Sequence, residues 1–207
     1  SNIRKGLIEN DLVEVIIQIP DKIFFNTGIP TFLWILNNKK DQRRKNKIQL
    51  IDGSSFFKHL HQNLGEKSKY ISDEDREEIL KLYRKFKNED FLKIYENDFF
   101  GFNKIYLYKY SKDKNGNIIK DKNGKLTIDR KNYIKEKIPL GKDIADYLKE
   151  EVDPYYKDYF YNGEKIEGYQ INFIKYFYKF PKNRNLKEIK KDIKILDKNI
   201  SEGLEYE

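Results

Sequence analysis

The sequence contains no cysteine and no methionine, two histidines, one tryptophan and five prolines in 207 residues. Without cysteine there are no disulfides, thiolate metal sites or cysteine nucleophiles, and a reducing compartment is permitted. No apolar run approaches the roughly 20 residues that span a bilayer, and no signal segment opens the chain. The expected location is the cytoplasm, with no membrane partner. His59 and His61 stand two apart in Phe57-Lys58-His59-Leu60-His61. Two imidazoles without further ligands make a poor metal site, so they read as solvated or structural side chains and no metal is expected. A chain that lacks methionine and opens on Ser1-Asn2 before a helix-like Ile3-Arg4-Lys5-Gly6-Leu7-Ile8 reads as a piece excised from a longer one.

Aromatic residues are plentiful, with 16 tyrosines and 14 phenylalanines, although only 38% of residues are hydrophobic. Rings therefore do much of the burying, which argues against disorder throughout. The net charge is +8 and the pI about 9.2. Such a surplus suits a polyanionic partner, while 37% charged residues also describes a well-solvated surface.

Hydrophobic spacing predicts a short helix over 3–9 and strands over 12–19, 32–36 and 48–51. The runs around Ile16 and Trp34 are short, β-branched and aromatic, and Pro20, Asp21, Asn26 and Gly28 punctuate the loop between them. Residues 39–47 read as a basic hairpin tip. Ser72-x-x-Asp75 fits a capping box for a helix with Ile79, Leu82, Tyr83 and Phe86 on one face, ending near Asn88. Beyond a strand over 105–110, Asp113-Lys114-Asn115-Gly116 and its near copy Asp121-Lys122-Asn123-Gly124 read as turns rather than calcium loops, because the further oxygen ligands are missing. Residues 144–152 read as a helix with Ile144, Tyr147, Leu148 and Val152 inward. A final helix over 185–200 carries Leu186, Ile189, Ile193, Leu196 and Ile200 at three- and four-residue steps, a narrow heptad seam. The last seven residues form an acidic tail.

Several segments, in order, resemble the modification (M) subunit of type I restriction-modification systems, the DNA adenine-N6 methyltransferases. They are Ile3-Arg4-Lys5-Gly6-Leu7-Ile8-Glu9-Asn10-Asp11-Leu12-Val13-Glu14, Pro20-Asp21-Lys22-Ile23-Phe24-Phe25-Asn26-Thr27-Gly28-Ile29-Pro30-Thr31, and Ile51-Asp52-Gly53-Ser54, where Gly53 replaces the family's usual Ala. Later come Ile138-Pro139-Leu140, Glu150-Glu151-Val152-Asp153-Pro154, Gly168-Tyr169-Gln170-Ile171-Asn172-Phe173, Tyr176-Phe177-Tyr178-Lys179-Phe180 and Arg184-Asn185-Leu186-Lys187-Glu188-Ile189. The resemblance implies an α/β fold. It would hold part of a Rossmann-like methyltransferase sheet (the last helix and an antiparallel strand pair), then an α+β C-terminal region with a terminal helix. It divides the chain into 1–98, the end of the catalytic domain; 99–184, an aromatic-rich α+β region; and 185–207, a docking helix and acidic tail.

Family members bind S-adenosylmethionine through a Gly-rich loop and grip the target adenine with an Asn-Pro-Pro-aromatic motif. Neither motif occurs here. The expectation is thus a C-terminal fragment with no catalytic residue of its own, inactive alone, and with no cofactor bound. S-adenosylmethionine would serve the full-length protein. The implied partners are the specificity (S) subunit, the restriction (R) subunit and double-stranded DNA.

Chemistry on a base inside a duplex requires flipping it out against an aromatic face. The resemblance assigns that face to Phe24, with Phe25 as alternate. Asn26, Thr27 and Gly28 would complete a target-base or DNA loop. The competing reading makes the phenylalanines core residues and Gly28 a positive-φ turn residue. Lys39, Lys40, Arg43, Arg44, Lys45 and Lys47 are candidates for phosphate contact or for a merely solvated tip. Leu186, Ile189, Ile193, Leu196 and Ile200 would dock a partner or pack on the chain itself. The rival to the methyltransferase reading is a non-catalytic assembly or nucleic-acid-binding module.

Overall fold

The computed structural model describes residues 2–180 and 184–204. Two compact units arise, Ser1–Phe177 and Tyr178–Glu207.

The first unit begins with helix α1 (Asn2–Glu9), strand β1 (Val13–Ile19), strand β2 (Thr31–Leu36) and strand β3 (Lys47–Asp52). A β4–β5 hairpin (Lys58–Leu64, Lys67–Tyr70), helix α2 (Asp73–Lys85) and strand β6 (Leu92–Glu96) follow. The order in the sheet is β2-β1-β3-β6. β1 and β3 are parallel, while β2 and β6 run antiparallel to their neighbours. The expected helix and antiparallel strand pair are therefore present in a mixed α/β sheet. The basic segment is not a hairpin tip, however. β2 and β3 flank β1 on opposite sides, so the chain crosses the end of β1 to reach β3.

Each face of this sheet has its own core. Ile8, Val13, Ile16, Ile48, Leu50, Phe100, Tyr169 and Phe173 pack on one face, and Val15, Ile17, Ile51 and Leu92 meet Ile79, Leu82 and Tyr83 of α2 on the other. β1 is buried over Val13–Ile17 because both faces are covered, so its apolar residues Val13, Val15, Ile16 and Ile17 do not alternate with exposed ones. Each fully buried Ile or Leu contributes about 1.5–3 kcal/mol. The Ser72 capping box forms as its spacing predicts, and α2 ends at Lys85, capped by Phe86 in the left-handed conformation (φ 44°), two residues before Asn88.

A second sheet, ordered β8-β7-β9, is fully antiparallel, with β7 spanning Gly101–Tyr110, β8 Ile128–Pro139 and β9 Tyr159–Tyr169. One face packs Ile105, Leu107 and Ile138 against Leu148 and Val152. Those two residues lie on a helical segment that starts as α3 (Ile144–Tyr147) and widens into a π-turn over Leu148–Val152. The paired Asp-Lys-Asn-Gly motifs bud from the β7–β8 connection as turns. Asp113 and Asp121 accept local backbone N–H groups, with Gly116 at φ 86° and Gly124 at φ 78°. Helix α4 (Phe173–Phe177) closes the unit.

The second unit is dominated by helix α5 (Leu186–Leu204). The Asn185 side chain accepts from the Lys187 N–H at its start, and Arg184 pairs with Asp192.

Candidate functional site

The loop between β1 and β2 lies at the rim of the first sheet, pinned from below by the β4–β5 hairpin. The Phe25 carbonyl accepts from the Glu66 N–H at 3.0 Å, and the Lys22 carbonyl accepts from Ser68 N–H at 3.0 Å and Lys69 N–H at 3.2 Å. Lys69 Nζ reaches Asp21 Oδ1 at 2.5 Å while lying 4.0 Å from the centre of the Phe57 ring. That bond comes first in holding the Asp21 carboxyl below its ordinary value. The pinned loop leaves both rings outward: Phe24 is 47% exposed and Phe25 57%. Neither ring is packed into the described core clusters. Asn26, Thr27 and Gly28 share the loop, with a Phe24–Thr27 bridge closing the turn. Positive φ falls on Lys22 (56°) and not on Gly28, whose smallness instead spares the Glu66 carboxylate. His59 and His61 lie exposed on β4, and no cluster of metal-ligating groups occurs among the described residues.

The basic segment splits into two kinds of residue. Lys39, Arg43 and Lys45 are exposed, and Lys47 is half-buried beside Glu96 at 3.8 Å. Lys40 and Arg44 turn inward and are only 8% and 2% exposed. Lys40 Nζ donates to Asp11 Oδ1 at 2.6 Å and to the Lys47 carbonyl at 2.9 Å. Asp11 also accepts from the Asn46 N–H and from Asn97 Nδ2, both at 2.9 Å. Burial would raise its carboxyl, but these donors outweigh that and hold it low. Arg44 lies between Tyr83 and Phe86, 4.3 and 4.4 Å from the ring centres, and donates to Gln49 Oε1 at 2.6 Å. Its Nε is 3.7 Å from the buried Glu14 carboxylate. These two cations clamp the crossover onto the α1–β1 turn, β1 and α2, with their charges turned to the interior. Sequence reasoning missed this clamp, although one signal was available: Glu14 is a charged residue flanked by Val13 and Val15 in a buried strand.

β2 is the third feature. It is an edge strand, and among the described residues its outer backbone edge has no strand partner. Phe32, Leu33, Trp34, Ile35 and Leu36 are all exposed. Since neighbours alternate faces, both faces of β2 are apolar and open. Among the described residues, Phe32 alone of these meets a covering ring, at 5.1 Å from Phe173. This is the composition of an interior strand placed at a border.

The ends of the parallel strands offer no cradle for S-adenosylmethionine. No Gly-x-Gly follows any strand. Beyond β3 the Gly53 N–H bonds the Gln18 carbonyl at 2.9 Å, so closely that a Cβ on Gly53 would sit 2.6 Å from that oxygen. Asp52 is occupied by the N–H and hydroxyl of Ser54. The residues present at these strand ends do not fit the cofactor. In the second unit, Leu186, Ile189, Ile193, Leu196 and Ile200 all stand exposed along α5.

Residues 1–138 match the N-6 DNA methylase family, and the chain belongs to that family. Its relatives include the type I restriction enzyme MjaVIII methylase subunit of Methanocaldococcus jannaschii, 38% identical over 89 residues, which are 42% of this chain and 15% of that protein. The HindI methylase subunit of Haemophilus influenzae is 44% identical over 50 residues, 24% of this chain and 11% of that protein. Among solved structures, the type I restriction-modification methyltransferase subunit of Streptococcus thermophilus is 31% identical, covering 46% of this chain and 19% of its own, at a TM-score of 0.40. The chain thus spans under a fifth of the length of the relatives it matches. The family match ends at residue 138, ahead of α3, β9 and α5.

Proposed function

We propose that this chain is the closing portion of a type I adenine-N6 DNA methyltransferase subunit. In this reading residues 1–98 complete a catalytic domain, residues 99–184 form the region behind it, and residues 185–207 dock. The parent reaction moves a methyl group from S-adenosylmethionine to adenine N6, with the Gly-rich loop and Asn-Pro-Pro-aromatic motif supplied by another portion of the enzyme. The observation that carries the reading is β2. Its apolar faces and unpaired edge call for a further strand with helices on both sides, and the catalytic half of a doubly wound domain is such a body.

Within that enzyme the outward Phe24 ring, with Phe25 beside it, would take one face of the flipped adenine. Asn26, Thr27 and Gly28 would line the approach. Lys39, Arg43, Lys45 and Lys47 would meet phosphates, with Lys40 and Arg44 as their scaffold. The α5 seam would seat on the specificity subunit, with the restriction subunit joining the assembled complex.

The test mixes this chain with the cofactor-binding half of a type I methylase, its specificity subunit and duplex DNA, and follows labelled methyl incorporation into adenine. Incorporation should require both halves. Trp34, the sole tryptophan, should shift its emission to shorter wavelength as β2 is covered, and Trp34→Lys should abolish association. A chain that neither binds the catalytic half nor restores methylation would defeat the reading.

A further inference from the structure

The face of the second sheet turned away from its core carries an unassigned array. Inward Ile105 and Leu107 are fully buried, so alternation places Phe102, Lys104, Tyr106 and Tyr108 of β7 on the opposite face. β8 sets Tyr133 opposite Tyr108, Lys135 opposite Tyr106 and Lys137 opposite Lys104. Rings and ammonium groups therefore interleave across two adjacent strands.

The rings form a cluster. Tyr106 and Tyr108 lie 6.3 Å apart at 22°, and Tyr133 stands edge-on to them at 5.3 and 6.0 Å. Each lysine overhangs a ring: Lys104 lies 5.2 Å from Tyr106, Lys135 5.3 Å from Tyr133 and Lys137 5.0 Å from Phe102. Among the described residues, none of these three lysines pairs with a carboxylate within 4.0 Å, and Lys137 donates to the neutral Gln170 Oε1 at 2.5 Å. The neighbouring acids point to the other side, where Glu136 accepts from the Tyr147 hydroxyl at 3.2 Å and Glu167 meets Lys5 at 3.3 Å. The uncompensated charge is felt locally, since a hydrogen bond from Lys104 lowers the Tyr106 hydroxyl from its ordinary value.

We propose that this open Tyr/Lys face of β7 and β8 binds single-stranded nucleic acid. Unstacked bases would lie on Tyr106, Tyr108, Tyr133 and Phe102, and the phosphates would meet Lys104, Lys135 and Lys137. Same-face residues repeat about every 7 Å along a strand, so successive rings can serve successive bases. Base–aromatic stacking tolerates any sequence, and lysines along the track neutralise the backbone. An acidic peptide would use the ammonium groups but has no use for a cluster of flat rings. A duplex keeps its bases stacked away from them.

The inference is independent of the methyltransferase reading, because it needs neither cofactor nor catalytic half. The test measures fluorescence anisotropy of a labelled oligothymidine 20-mer against the whole chain across a salt series, with a matched duplex and poly-glutamate as competitors. The oligonucleotide should bind in preference to both. Tyr106→Ala and Tyr133→Ala should each weaken binding about tenfold, and Lys135→Gln with Lys137→Gln should flatten its salt dependence. Lys135 and Lys137 are exposed, so the double variant should melt as the parent chain does, and it decides the matter even if a tyrosine variant unfolds. Unchanged affinity and salt slope in the lysine variant would overturn the proposal. So would preference for the duplex or for poly-glutamate.

Discussion

The Tyr83 hydroxyl donates to the buried Glu14 carboxylate, tying helix α2 to the second residue of β1. Asn37 Nδ2 donates to the same carboxylate at 2.5 Å, and Arg44 supplies the facing positive charge. Gln49 completes the group by donating to the Leu82 carbonyl at 3.1 Å. One carboxylate thus gathers β1, α2 and the β2–β3 crossover.

This arrangement has an acid limit. Burial would raise the Glu14 carboxyl, but Tyr83, Asn37 and the charges of Arg44 and Lys40 outweigh it and hold it below its ordinary 4.5. A carboxylate lowered in the folded state contributes stability that is full above the unfolded value and lost as pH falls through the folded one. Melting temperature should therefore decline as pH drops below about 4.5. Glu14→Gln should flatten that decline, and Arg44→Ala, which strands a buried anion, should cost about 3–5 kcal/mol at neutral pH. Thermal melts between pH 3 and 7 check both.

Phe24 separates function from stability. Its ring is half in solvent, so Phe24→Ala should move the melting temperature little. In the assembled methylase it should reduce methyl transfer at least tenfold, given that stacking on a base is worth about 1–3 kcal/mol. Full activity with Phe24 replaced would shift the role to Phe25 or remove it from the loop.

Gly65 tests how the rim loop is held. It adopts φ 62° in the β4–β5 turn, and a Cβ there would stand 3.0 Å from the Phe25 carbonyl. Gly65→Ala should cost about 1–2 kcal/mol and loosen the Glu66–Phe25 hydrogen bond. Faster amide exchange at Glu66 with an otherwise unchanged exchange pattern is the expected signature.

The α5 seam gives a fourth test. Ile193→Glu with Leu196→Glu should abolish co-elution with the specificity subunit on gel filtration and leave the circular dichroism of the free chain unchanged. An unchanged complex would assign the seam to contacts within the chain.

The strands over 12–19 and 48–51, the Ser72 cap and the inward set Ile144, Tyr147, Leu148 and Val152 were legible because each is dictated within one element. A strand's alternation and a helix's period are local properties. The sequence also determined the composition of β2, whose unbroken apolar run from Phe32 to Leu36 is that of a strand covered on both faces. Where β2 lies was beyond it, because strand order depends on which run pairs with which across distant parts of the chain. The same applies to residues 39–47. Charge counting treats their cations alike, yet only the tertiary fold brings Asp11 and Glu14 beneath Lys40 and Arg44. A cation beside a buried carboxylate is drawn inward, and one without such a partner stays in water.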